Sequence, residues 1–200
     1  AAVPIACCGF YGKQIANIYS TSLFLPDKAA ELFEIVKNDV SNIATKESGF
    51  YTSVLENIVS CQAQSSNHDS KIKAIENCNE LIFVHERMNR PSARDFMMLS
   101  NLQLSLGEKE KSIQTLRTGL DRSTLPEDEL WRCLLKLSLG WNLYSTMGVS
   151  LQDEPKQLFE EAIPFFKENV VKVGGAYIEG FSLISYYYNA IGEYDKAEGH

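Results

Sequence analysis

The stretch AYIEGFSLISYYYNAIGEYDKAEGH, residues 176–200, decides the fold. Phe181, Ile184 and Tyr188 recur at three- and four-residue steps, the spacing of one helix face. Gly192 interrupts the pattern, and Tyr194 and Ala197 resume it. The stretch therefore reads as a helix, a tight turn and the opening of a second helix. Looser copies of this unit recur upstream, which predicts a chain of stacked helical hairpins rather than a fold arranged around one catalytic centre.

Immediately upstream, Leu130, Leu134, Leu137, Trp141 and Tyr144 predict a helix that turns at Gly148. Leu158, Phe159, Ala162, Phe165 and Phe166 predict its partner from about residue 153. Pro164 lies inside that second pattern, where it should cost about 3 kcal/mol or kink the helix. Before it comes a hairpin with Ser92 as N-cap, Asp95 three residues on, then Phe96, Leu99, Gln103 and Leu106. Gly107 breaks this helix, and Ile113, Leu116 and Leu120 follow on the returning one.

Two further hairpins are predicted over residues 10–46 and 50–88. In the first, Pro26 opens a helix with Ala29, Leu32, Phe33, Val36 and Val40 inward. In the second, Val54, Leu55, Ile58 and Val59 precede the polar run 62–69, after which Ile72, Ile75, Cys78, Ile82 and His85 lie along one side. No long Ser/Gly/Pro tract separates any of these segments. The expectation is a single domain over residues 1–200.

These hairpins resemble tetratricopeptide repeats. The last copy carries Phe181, Ile184, Ser185 and Tyr188, then Gly192, Tyr194 and Ala197; the third carries Phe96, Leu99, Ser100, Gly107, Ser112 and Leu116, with Gln103 where the family prefers an aromatic residue. The small second-helix position falls at Ala29, Ala74, Ser112, Pro155 and Ala197, spacings of 45, 38, 43 and 42 residues. The family standard is about 34, so these are long, divergent repeats closer to the kinesin-light-chain variety, with a Sel1-like lean around Leu139-Gly140 and a period also seen in HEAT arrays. The resemblance implies an all-α, right-handed superhelix of four to five antiparallel hairpins, the last one incomplete.

By the register of that family the concave groove includes Arg94, Met97, Asn101 and Leu104 from the third hairpin. From the last it includes Glu179, Ser182, Tyr186 and Asn189. Relatives that clamp chaperone C-termini use lysine and asparagine; Asn101 matches one such position, but Met97 and Ser182 stand where the others belong. The implied function is a protein–protein interaction scaffold or adaptor subunit that takes a partner peptide or helix. The alternative is a regulatory domain that senses a ligand or signal peptide inside the superhelix. Residues 186–188 are three successive tyrosines pointing about 100° apart, which cannot all enter one core. Tyr188 is expected inward, and Tyr186 either toward the groove or against a further repeat.

Bulk composition narrows the partners. The 26 acidic against 19 basic residues give a net charge of −7, which disfavours phosphate backbones and anionic lipid as main partners, and RNA binding is a weak third reading. No apolar run reaches the roughly 18 residues of a membrane span, and the N-terminus lacks the charged flank of a signal peptide. The expectation is an intracellular, cytoplasmic chain without membrane insertion. Because the last hairpin stops just inside its second helix and lacks a polar cap, the chain is expected to be part of a longer protein, continuing or self-associating at its C-terminal end.

No catalytic, metal or cofactor chemistry is expected. Cys61 and His68, like Cys78 and His85, are seven residues apart, about 10.5 Å of helical rise, whereas zinc bonds are about 2.0–2.3 Å long. The five cysteines, including the adjacent Cys7 and Cys8, form an odd, scattered set that fits reduced thiols. Leu106-Gly107-Glu108-Lys109 is a turn rather than a phosphate cradle, since it offers one glycine and a carboxylate. No Gly-x-Ser-x-Gly elbow is present, so the chain is not expected to be an enzyme.

Overall fold

The computed structural model describes residues 5–21, 23–43, 45–172 and 174–198. These residues contain helices and turns and no strand. Contacts divide the chain into two compact units, Ala1–Arg90 and Pro91–His200.

The first unit holds α1 (Ile5–Thr21), α2 (Pro26–Ile43), α3 (Gly49–Gln64) and α4 (His68–Arg87), each packed on the next. Proline opens α2 with Asp27 in its first turn, where a negative charge meets the positive end of the helix dipole. Ser48 caps α3 by accepting from the Tyr51 N–H, and Asn67 caps α4 by accepting from the Asp69 N–H. Phe33, Val36 and Val40 of α2 meet Tyr51, Val54, Leu55 and Ile58 of α3 and Leu81 and Val84 of α4 in one core.

In α4 the buried face runs through Ala74, Asn77, Cys78, Leu81, Ile82 and Val84. The predicted stripe shares Cys78 and Ile82 with it, but Ile72 is 41% exposed. Small Ala74 lets the helix approach its neighbours, and Asn77 turns inward because polar partners await it there, as described below. The side chains of Cys7 and Cys8 lie outside the described residues, as does His200.

The second unit holds α5 (Ala93–Ser105), α6 (Lys109–Arg122), one 3-10 turn (Pro126–Asp128), α7 (Glu129–Met147), α8 (Glu154–Glu168), α9 (Gly175–Ala190) and the short α10 (Tyr194–Glu198). Helix α7 is its centre, packed against α5, α6, α8 and α9. Ser92 stands at the N-cap of α5 but its side chain makes no cap bond. Asp128 does that work from the start of α7, accepting from the Ala93 N–H at 3.0 Å. Helix α8 continues across Pro164, whose position is solvent-exposed.

Small residues set how closely paired helices approach, as the sequence pattern requires. Ala29, Ala74, Ser112 and Pro155 are buried, while Ala197 is half-buried. The Ser100 and Ser112 hydroxyls share a buried hydrogen bond of 2.7 Å between α5 and α6. A Cβ on Gly140 would lie 3.0 Å from the Phe159 ring and 3.2 Å from the Pro155 carbonyl oxygen. In the last pair the Ser185 hydroxyl donates to the Ala197 carbonyl at 3.2 Å.

Candidate functional site

Helices α5, α7 and α9 are the first members of successive hairpins, and α7 packs against both of the others. Their polar–aromatic residues meet in two places. At the start of α7, Trp131 lies under the guanidinium of Arg94, 5.8 Å from its ring centroid, an arrangement that favours the cation over the electron-rich ring face. Further along α7, Trp141 meets Tyr144 at 5.6 Å and Tyr186 of α9 at 5.5 Å. The two tryptophans are ten residues apart on one helix, about 15 Å.

Tyr186 is 52% exposed although its ring touches Trp141. With Ile178, Phe181, Ser182 and Ser185 it lines a pocket of about 290 Å³. The Ser182 hydroxyl donates to the Ile178 carbonyl at 2.8 Å, which leaves its oxygen as an acceptor. Such a pocket has apolar walls for one side chain and hydroxyls to orient it.

The eight sequence-predicted groove residues occupy different environments. Arg94, Asn101, Tyr186 and Asn189 are exposed, and Leu104, Glu179 and Ser182 are half-buried. Met97 is buried, at 2% exposure, among core side chains. Burial pushes the Glu179 carboxyl above its ordinary value, and no described residue pairs with it. Of the three tyrosines, Tyr188 is buried and Tyr186 is exposed. Tyr187 is buried too, stacked on Phe159 with centroids 4.2 Å apart. Nothing in the sequence pattern marks Trp131, and Trp141 reads there as a core residue, because a tryptophan at helical spacing looks the same whether it faces inward or into a groove.

A second polar feature, also missed, lies within the first unit. Helices α2 and α4 wall a groove of about 680 Å³, with Gln62 of α3 among its lining. Asn77, 8% exposed, donates to Glu34 and to Gln62, each at 3.1 Å, and its oxygen accepts from Lys37 at 2.7 Å. Lys37 also pairs with Glu80 at 2.7 Å, and Glu80 further receives Lys46 at 2.9 Å and the Tyr51 hydroxyl at 2.6 Å. Burial alone would raise the Glu80 pKa; the hydrogen bonds from Lys37, Tyr51 and Lys46 outweigh it and bring it down to about 2. The signal for this network was two amides, Gln62 and Asn77, at inward helical positions.

Cys61, Cys78 and Cys133 are buried and form no disulfide, and burial pushes the Cys133 thiol up to about 11. Among the described residues no group of three His, Cys, Asp or Glu side chains is placed to hold one metal ion. No helix among them is long and apolar enough to cross a membrane.

The paired helices, their small-residue contacts and the side-by-side first helices are those of a tetratricopeptide-like helical-repeat fold. Solved structures with that fold resemble the chain along most of its length. A Podosopora anserina protein of kinesin-light-chain type, with nearly identical TPR-like repeats, aligns with a TM-score of 0.61 at 14% identity, covering 94% of this chain and 89% of its own. A point variant of that protein aligns at 0.63 and 13% identity over the same shares. MamA aligns at 0.58 and 17% identity, covering 92% of this chain and 89% of its own. No family model and no curated protein matches the sequence.

Proposed function

We propose that this chain is a protein-interaction scaffold or adaptor that binds a peptide or helix of a partner protein across α5, α7 and α9, without catalysing a reaction. The observation that carries the reading is the exposed Tyr186 held against Trp141 beside a pocket sized for a side chain. Buried aromatic and arginine anchors dominate protein interfaces because they bring large rigid area at little entropic cost. Here the arginine is Arg94, on Trp131. The roughly 15 Å between the two tryptophans equals about ten residues of helix or four to five of extended chain.

Asn101, Glu179, Ser182 and Asn189 supply the polar edge of the proposed groove, with Leu104 beside them; Met97 contributes support from beneath. A cytoplasmic setting and a role as one interaction domain over residues 1–200 belong to the same proposal. Two separate calorimetric melting transitions would divide that domain. The groove is tested by placing a photo-crosslinking phenylalanine analogue at position 186 or, as control, at the exposed Gln114 of α6. Protein adducts from position 186 and not from 114 are expected. Equal adducts from both positions, or none from 186, would refute the groove.

A further inference from the structure

We infer that the groove between α2 and α4 is a second docking site, one that takes an arginine- or lysine-bearing peptide segment of a partner protein. Its walls carry Asp27, Glu31 and Glu34 from α2 and Lys73, Glu76 and Asn77 from α4, around a volume of about 680 Å³. The inference stands apart from the aromatic face, which lies in the other unit.

The argument rests on how differently the molecule treats its carboxylates on these two helices. Glu80, one turn beyond Glu76 on α4, is neutralised by Lys37 and Lys46 and also bonded by the Tyr51 hydroxyl. The groove carboxylates receive no such cation among the described residues. Glu34 accepts only neutral amides, from Asn77 at 3.1 Å and Gln62 at 3.4 Å, both on the same oxygen, and its other oxygen is left without a described partner. Asp27 accepts only the Ser70 hydroxyl, at 3.4 Å. Glu31 and Glu76 have no described partner.

Two lysines share the lining: Lys37 is held by Glu80 and Asn77, and Lys73 offsets one of the four carboxylates Asp27, Glu31, Glu34 and Glu76, which leaves an excess of negative charge. The space is therefore a trough of negative potential between two helices, with a fixed carboxylate at its base. Asp27 to Lys37 spans ten residues of α2, about 15 Å, which accommodates four to five residues of extended peptide. A guanidinium fits the free edge of Glu34 better than a compact ammonium, since its planar fork matches a carboxylate.

The test uses the whole chain and a fluorescein-labelled, arginine–glycine alternating heptapeptide, followed by fluorescence anisotropy. Glu31→Gln/Glu34→Gln keeps side-chain shape and the acceptor for Asn77, and matching far-ultraviolet dichroism confirms its fold. Binding that weakens with salt and falls roughly tenfold in the double variant is expected, the effect of removing partly desolvated charge partners. Glu110→Gln, on the exposed start of α6, should leave binding unchanged. Equal affinity in the double variant and Glu110→Gln would overturn the inference, as would failure of the peptide to bind. Spermine displacing the peptide at equal or lower concentration would overturn the assignment to a peptide.

Discussion

Glu80 shows how one residue ties the first unit together. It draws α2 through Lys37, the α2–α3 connection through Lys46 and α3 through Tyr51 onto α4. Its folded pKa, about 2, lies below the ordinary 4.5, so the carboxylate form is favoured by folding. The stability it contributes is fully present above about pH 4.5 and is lost as the pH falls toward 2. Partial exposure screens the pairs, so the contribution is about 1–2 kcal/mol rather than the full linkage value. Glu80→Gln should destabilise the protein by about 2 kcal/mol at pH 7, since it leaves the mostly buried Lys37 without its carboxylate. In urea titrations the gap from the parent should narrow between pH 4.5 and 2. A gap that is absent at pH 7, or that widens on acidification, would show that the network is not stabilising.

At the scale of the helix pair, close approach is set by residues with little or no side chain. A Cβ built on Gly180 of α9 would run into the Phe166 ring of α8, which is fully buried and edge-on to Phe181. Packed rings cannot yield as a surface side chain would, so Gly180→Ala should cost about 1–3 kcal/mol by overpacking. A denaturant midpoint equal to or above that of the parent would contradict the packing described.

The elements themselves were largely legible in the sequence. Gly107, Gly148 and Gly192 fall in the turns between paired helices, and the periodicity located the helices from α2 onward. Local sequence failed where a neighbour decides a residue's environment. Asn77 is buried only because Glu34, Gln62 and Lys37 meet it from α2 and α3. Asp27, Glu31 and Glu34, spaced four and three apart, share one side of α2, and only α4 opposite makes them a groove wall. The same reasoning explains Met97, a register position assigned to the groove that the structure buries.

At the scale of the whole molecule, a net charge of −7 biases the surfaces of the repeat fold toward basic or neutral partners. The central claim is that Tyr186 and Arg94 anchor a partner on α5, α7 and α9. It is tested most directly by the affinity of the protein captured at position 186 for the parent chain, Tyr186→Ala and Arg94→Ala. Loss of one anchor should cost about 2 kcal/mol, or roughly thirtyfold in Kd, with the fold intact by circular dichroism. Unchanged affinity in both variants would contradict the account.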